Sequence, residues 1–191
     1  MTVLTHKKSV TTSGSNSGFK TAHKDVATDS YSGHGKKYTL KIYSSLSELD
    51  QSKVKCLLES SFGKKLVADY FANPAKSVIL EENYRGIAII KEVDGVPYLD
   101  KLAVVPELQG NGLAKELMDK LKEEFPQMIW RAKKSNPINT WYFKNSDGHF
   151  RIGEWTIFWY GLQPEAAILL VPKITAIPKT LEETDADFVS V

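Results

Sequence analysis

The chain has 191 residues, a 42% hydrophobic share and a net charge of +2, which suits one domain with terminal extensions and enough apolar residues for a core. A near-neutral balance excludes the broad basic surface of a nucleic-acid-binding or membrane-surface protein, and no apolar run approaches the roughly 18–20 residues of a membrane-spanning helix. The single cysteine, Cys56, excludes an internal disulfide and a cysteine-based zinc cluster, and no metal site is expected.

Residues 1–37 read as a disordered Ser/Thr/Gly-rich tail. Through Lys24 the tail holds lysines and no acidic residue, a composition that resembles an organelle transit peptide and equally suits a flexible extension. A folded domain is expected over 38–171. Apolar and polar residues alternate over Tyr38–Tyr43, as in a half-buried strand. A helix is predicted over Ser47–Ser60, with Val54, Leu57 and Leu58 at helical spacing, Ser47 with Asp50 as a cap, and Cys56 read as buried on its apolar face. A second, short helix over Lys64–Phe71 ends before Pro74. Ser77–Leu80 and Arg85–Lys91 read as paired strands, Asp94-Gly95 as a hairpin turn, and Tyr98–Val105 as the next strand.

Pro106 stops that strand, and a Gly-containing loop leads into a helix over Gly112–Glu124 with the apolar stripe Leu113, Leu117, Met118 and Leu121. Met128–Ala132 reads as a short buried strand and Asn136–Lys144 as a loop running into a helical turn. Asp147-Gly148 reads as a turn, Trp155–Tyr160 as an aromatic strand and Gln163–Leu170 as a last short helix. Residues 172–191 read as an acidic, Pro-containing tail. This order implies an α/β fold with a mixed, mostly antiparallel sheet flanked by helices.

The loop Gln109-Gly110-Asn111-Gly112-Leu113-Ala114 opens a helix, whose first N–H groups have no intrahelical partner and whose dipole adds partial positive charge. Anionic oxygens fit such a place. The spacing alone describes an ordinary strand-to-helix turn, without the third glycine of a dinucleotide site or the Lys-Ser/Thr ending of a P-loop. The whole stretch from Leu99 to Ala114, however, resembles the acetyl-coenzyme A motif of the GNAT acetyltransferase superfamily, with Gln109, Gly112 and Ala114 on the pattern Gln/Arg-x-x-Gly-x-Gly/Ala. The resemblance implies a GNAT-type sheet with a splayed central strand pair at the acetyl-CoA site, and acetyl-CoA as co-substrate. It implies that N–H groups of residues 109–114 hold the pyrophosphate and that Ala103–Val105 pairs with the pantetheine arm. A backbone N–H at Val104 or Val105 would polarise the thioester carbonyl, as an oxyanion-hole donor does.

A second set of segments narrows the resemblance. Trp130-Arg131-Ala132-Lys133, Ser135-Asn136-Pro137-Ile138-Asn139, Thr140-Trp141-Tyr142-Phe143-Lys144 and Phe158-Trp159-Tyr160-Gly161-Leu162 stand with Phe62-Gly63-Lys64-Lys65-Leu66 and Pro97-Tyr98-Leu99-Asp100-Lys101. Together they closely resemble the C-terminal acetyltransferase domain of the vertebrate-like N-acetylglutamate synthase family, from about Lys41 to Leu162. That implies acetyl transfer to the amino group of L-glutamate. The positions Tyr98, Lys101, Arg131 and Asn136 are implied to bind the acceptor, with one of Lys64 and Lys65. Tyr142 is implied to protonate the leaving thiolate. Lys133 stands where the family usually carries a second arginine.

The residue chemistry agrees with that substrate. Two carboxylates want charge-assisted partners, a guanidinium can grip one bidentately, and ammonium groups act as point charges. A tyrosine hydroxyl is a competent acid toward a thiolate. No base is assigned: Asp100, Asp147 and a water chain are all open. Most members of the family the chain resembles carry an amino-acid-kinase-like domain that binds arginine. A separate subunit of that kind is an expected partner, and this chain alone is expected to show no arginine response. The location implied is intracellular, mitochondrial or cytoplasmic. The alternatives are a non-catalytic regulatory or assembly domain and a GNAT enzyme acting on a different small amine.

Overall fold

A computed structural model describes residues 38–183 of the chain. The expectations for residues 1–37 and for 184–191 lie outside the described residues.

Four strands form an antiparallel run: β1 (Leu40–Tyr43), β2 (Ser77–Glu81), β3 (Gly86–Val93) and β4 (Val96–Val104). The β3–β4 hairpin turns at Asp94-Gly95, where both residues take positive φ (51° and 79°), the geometry of a two-residue hairpin turn that Asp-Gly favours. Next in the sheet come β5 (Met128–Lys133), β7 (Trp155–Tyr160) and β6 (Gly148–Ile152), so the seven strands are ordered β1-β2-β3-β4-β5-β7-β6. Only β4 and β5 run parallel. The sheet is therefore mixed and mostly antiparallel.

Helices cover both faces. Helix α1 (Gln51–Phe62) buries Val54, Leu57 and Leu58 against Val78, Leu80, Ile87 and Ile89. It starts at Gln51, later than expected, because Asp50 accepts hydrogen bonds from the N–H groups of Ser52 and Lys53 and caps it there. A 3₁₀ turn (Leu46–Glu48) precedes it. Cys56 is exposed, contrary to expectation: it lies about 200° around the helix from Val54, on the side opposite the stripe. Helix α2 (Leu113–Glu124) packs Leu113, Leu117, Met118 and Leu121 on the other face, against Ile79, Ala88, Leu102 and Val104.

Three further expectations needed correction. Residues 64–71 form no helix. Leu66 instead makes a β-bridge to Leu181, and only a 3₁₀ turn (Tyr70–Ala72) follows. The Asp147-Gly148 turn opens strand β6. A Cβ on Gly148 would stand 2.3 Å from the Trp159 ring, so the glycine serves close strand approach. Helix α4 spans Pro164–Ala176 and runs through Pro172, where a tail was expected to begin. Ala167, Leu170, Val171 and Ile174 bury it against Ile129, Ile157 and Trp159, and this burial outweighs the one helical hydrogen bond Pro172 cannot donate. Beyond α4, Thr180, Leu181 and Glu182 dock beside Leu66 through a β-bridge and two backbone hydrogen bonds.

Candidate active site

Strands β4 and β5 pair only through Tyr98↔Ile129 and Leu99↔Trp130. Their separation begins at a bulge: Ile89 faces Lys101 and Ile90 faces Leu99, so Asp100 is the extra residue in β4. One consequence is that Leu99 and Leu102, three residues apart, both join the α2 face. A bulge bends its strand and re-aims its side chains, and here it opens a V between two central strands.

The β3–β4 ladder decides which backbone groups face that V. The Val105 N–H donates to the Arg85 carbonyl at 3.0 Å. In an antiparallel ladder alternate residues face the partner, so Val105 and Ala103 turn their backbone groups to β3, and Leu102 and Val104 turn theirs to the opening. Val105 is thereby corrected as a carbonyl-polarising donor, and Ala103 as a partner for an extended ligand arm. The Val104 N–H faces the opening. Gln109 donates from Nε2 to the Val104 carbonyl at 3.1 Å, which ties the loop after β4 to the same strand edge.

That loop carries positive φ at Gly110 (82°) and Gly112 (91°). A Cβ at either would meet nothing within 4 Å, so backbone conformation and not crowding calls for glycine. The N–H groups of Gln109 and Asn111 fold back to the carbonyls of Pro106 and Leu108 at 3.2 and 3.1 Å, which takes these two out of the expected cradle. Gly112, the N-cap of α2, makes no side-chain cap bond. Among the described residues the N–H groups of Gly110, Gly112, Leu113 and Ala114 have no protein partner. They form a donor cluster at a helix start, open to an anionic group.

Beside the V lies a cleft of about 450 Å³. Lys64, Tyr98, Lys101, Arg131, Lys133, Asn136 and Tyr142 all line it. Lys65 does not: its ammonium pairs with Glu59 at 3.0 Å on the outside of the molecule.

Tyr142 comes from α3 (Asn139–Asn145), a short helix held by Asn139, whose Nδ2 donates to the Lys133 and Lys134 carbonyls. The Tyr142 ring packs edge-on to Trp130 at 5.6 Å and against Phe158 at 5.4 Å. Burial pushes its hydroxyl pKa up, so the phenol keeps its proton at neutral pH. Asn136 is fixed by its own turn, with its Oδ1 accepting from the Ile138 N–H at 3.2 Å. Burial also raises the Tyr98 hydroxyl, with the Asp100 charge adding to it and Arg131 opposing.

Lys101 and Asp100 form a buried pair, 6% and 3% exposed in their side chains. The Lys101 Nζ lies 3.2 Å from Asp100 Oδ2 and 3.2 Å from the Asp100 carbonyl, and donates to Thr180 Oγ1 at 2.6 Å. Asp100 also accepts from the Tyr70 hydroxyl at 2.8 Å and lies 3.6 Å from Lys91. Burial alone would raise the Asp100 carboxyl, but Lys101 and Lys91 with the Tyr70 bond hold it below the ordinary carboxylate range. A carboxylate so engaged is a poor proton acceptor. Asp147, the other candidate base, accepts from the Gly161 N–H at 2.6 Å and does not line the cleft.

Arg131 is placed differently from a free guanidinium. Its terminal nitrogens donate to the carbonyls of Ile174 and Thr175 at the end of α4, and to those of Ile177 and Pro178 beyond it, at 2.6–3.2 Å. Its plane stacks 4.1 Å from the Trp155 ring centre. Lys133 lies 3.9 Å from Glu154 and 3.6 Å from Glu183. The partners from residues 177–183, and Tyr70 beneath Asp100, carried no signal in sequence.

Comparison with known proteins adds four findings. Residues 41–177 match the family described as NAT, the N-acetyltransferase of N-acetylglutamate synthase. The human mitochondrial N-acetylglutamate synthase is 41% identical over 124 residues, covering 62% of this chain and 23% of that protein. An acetylglutamate kinase of Xylella fastidiosa is 39% identical over 116 residues, covering 60% and 28%. This chain thus spans about a quarter of the length of these curated relatives. Among solved structures, a GNAT-family protein of Bacteroides thetaiotaomicron shares the fold with a TM-score of 0.52 at 13% identity, covering 72% of this chain and 99% of that one.

Proposed function

Because this chain belongs to the NAT family, the N-acetyltransferase of N-acetylglutamate synthase, we propose that it moves an acetyl group from acetyl-CoA to the amino group of L-glutamate, giving N-acetylglutamate and coenzyme A. The observation that carries this reading is the meeting of a protonated, buried Tyr142 with the cationic side chains of Lys64, Lys101, Arg131 and Lys133 in one cleft beside the V of β4 and β5.

The open N–H groups of Gly110, Gly112, Leu113 and Ala114 suit the pyrophosphate of acetyl-CoA, by charge and by the freedom glycine gives the backbone. The Val104 N–H is the donor for charge developing on the thioester oxygen. As the tetrahedral intermediate collapses, the C–S bond breaks and Tyr142 delivers its proton to the thiolate. The carboxylates of glutamate are drawn to Lys64, Lys101, Arg131 and Lys133, which line the same cleft. Water is the route by which the amine proton leaves, since Asp100 is held by two ammonium groups and Asp147 lies outside the cleft.

Two partner-level statements belong to the same reading. The relatives are much longer, and one is named acetylglutamate kinase, which supports an amino-acid-kinase-like module as the assembly partner. The human and Laccaria bicolor relatives are named as mitochondrial, which supports a mitochondrial site of action.

The test is an acceptor screen that follows thiol release from acetyl-CoA. Glutamate should stimulate release above the rate without acceptor and above that of other amino acids and polyamines. Release that glutamate leaves unchanged would falsify the reading.

A further inference from the structure

On the reading that the acceptor is glutamate, we infer that Thr180 is an additional acceptor-binding residue, set in a segment, residues 177–183, that roofs the cleft with its residues 179–183. The family match ends at 177, so Thr180 lies outside it.

The segment is held along its length. Arg131 donates to the carbonyls of Ile177 and Pro178. The Thr180 carbonyl accepts from the Val67 N–H at 3.2 Å, the Glu182 N–H donates to the Lys65 carbonyl at 2.9 Å, and Leu181 bridges Leu66. An acceptor molecule that displaced the segment would break these bonds together, and a small, freely exchanging substrate does not repay such a loss. The roof stays in place when the acceptor binds.

Within the roof, Thr180 lines the cleft together with Tyr98, Lys101 and Tyr142. A hydroxyl has one hydrogen to give and two lone pairs. Thr180 Oγ1 accepts from the Lys101 ammonium at 2.6 Å, and its own hydrogen has no acceptor among the described residues. Lys101 is a three-donor group whose other hydrogen-bond partners are the Asp100 carboxylate and carbonyl, with the Tyr70 ring centre 5.2 Å from its ammonium. Lys101 and Thr180 thus line the cleft side by side, with the Thr180 hydroxyl polarised by the bond it accepts from the ammonium. A carboxylate oxygen of the acceptor fits there, taking the hydroxyl hydrogen within the field of the ammonium.

Thr180→Val keeps the shape and removes the hydroxyl. In the full chain it should raise KM for glutamate about tenfold, the scale of one hydrogen bond to a charged group, with KM for acetyl-CoA and kcat unchanged. Thr180→Ser should behave as wild type, which a purely packing role would not produce. Thr180→Ala, which keeps every backbone bond of the segment, repeats the comparison should valine prevent folding. A folded valine or alanine variant with unchanged KM for glutamate overturns the inference. So does a lowered KM, which would make the segment a competitor of the acceptor. Wild-type chain that transfers nothing to glutamate sinks the underlying reading, and the inference with it; the silent protein is then the wild type and not the variant.

Discussion

Asp100 and Tyr142 are two buried ionisable groups lining one cleft, with opposite demands on the proton. Asp100 stays ionised because Lys101 and Lys91 surround it and Tyr70 donates to it. Replacing it with Asn leaves Lys101 buried without its counter-charge, a loss of about 3 kcal/mol for one-sided breakage of a buried pair. Urea unfolding at pH 7 should show that difference between wild type and Asp100→Asn. The folded-state pKa is depressed below 3.8, so the contribution is full above the ordinary value and disappears as pH falls through the folded one. The difference must therefore close in acid; a difference that persists there would show that lost packing, not lost charge, is the cause. Tyr142 asks the reverse, since burial keeps its proton on. Tyr142→Phe should reduce turnover roughly 10- to 10³-fold, the scale of a missing general acid, with little change in KM for glutamate. Unaltered turnover would remove Tyr142 from the chemistry.

At the scale of elements, strand β4, the loop after it and helix α2 make one device. The alternating ladder aims Val104 into the V, the Gln109 side chain grips the Val104 carbonyl, and Gly112 starts the helix at φ 91°. Alanine at 112 has room but meets a backbone cost of about 1–2 kcal/mol. Gly112→Ala should raise KM for acetyl-CoA roughly 5- to 30-fold, that cost taken as affinity, while KM for glutamate stays. Steady-state kinetics with each substrate varied in turn separates the two; an effect on glutamate alone would detach the loop from acetyl-CoA. These elements were legible in sequence because their signals are local: an apolar strand, Pro106, paired glycines and a periodic stripe. Strand β6 was not legible, because His149, Phe150, Arg151 and Ile152 are all exposed along an edge and show no alternation. The end of α4 was hidden by Pro172, a local breaker that burial of Val171 and Ile174 overrides.

For the molecule as a whole, sequence periodicity determined the mixed α/β order and the loop that opens α2, while the family resemblance pointed to Tyr98, Lys101, Arg131, Lys133, Asn136 and Tyr142, all of which line one cleft. Strand and helix periodicities and short motifs are read from neighbours in the chain, so they need no fold to be seen. Only the tertiary structure decided which of these groups are free to act. It took Val105 into the ladder, turned Lys65 outward to Glu59, and gave the Arg131 guanidinium to four carbonyls some forty-three to forty-seven positions away. It also brought Thr180 to Lys101 across a separation of 79 residues. A hydrogen-bond donor is committed by whatever acceptor the folded chain sets within about 3 Å of it, and contacts of that reach exist only once distant segments have packed.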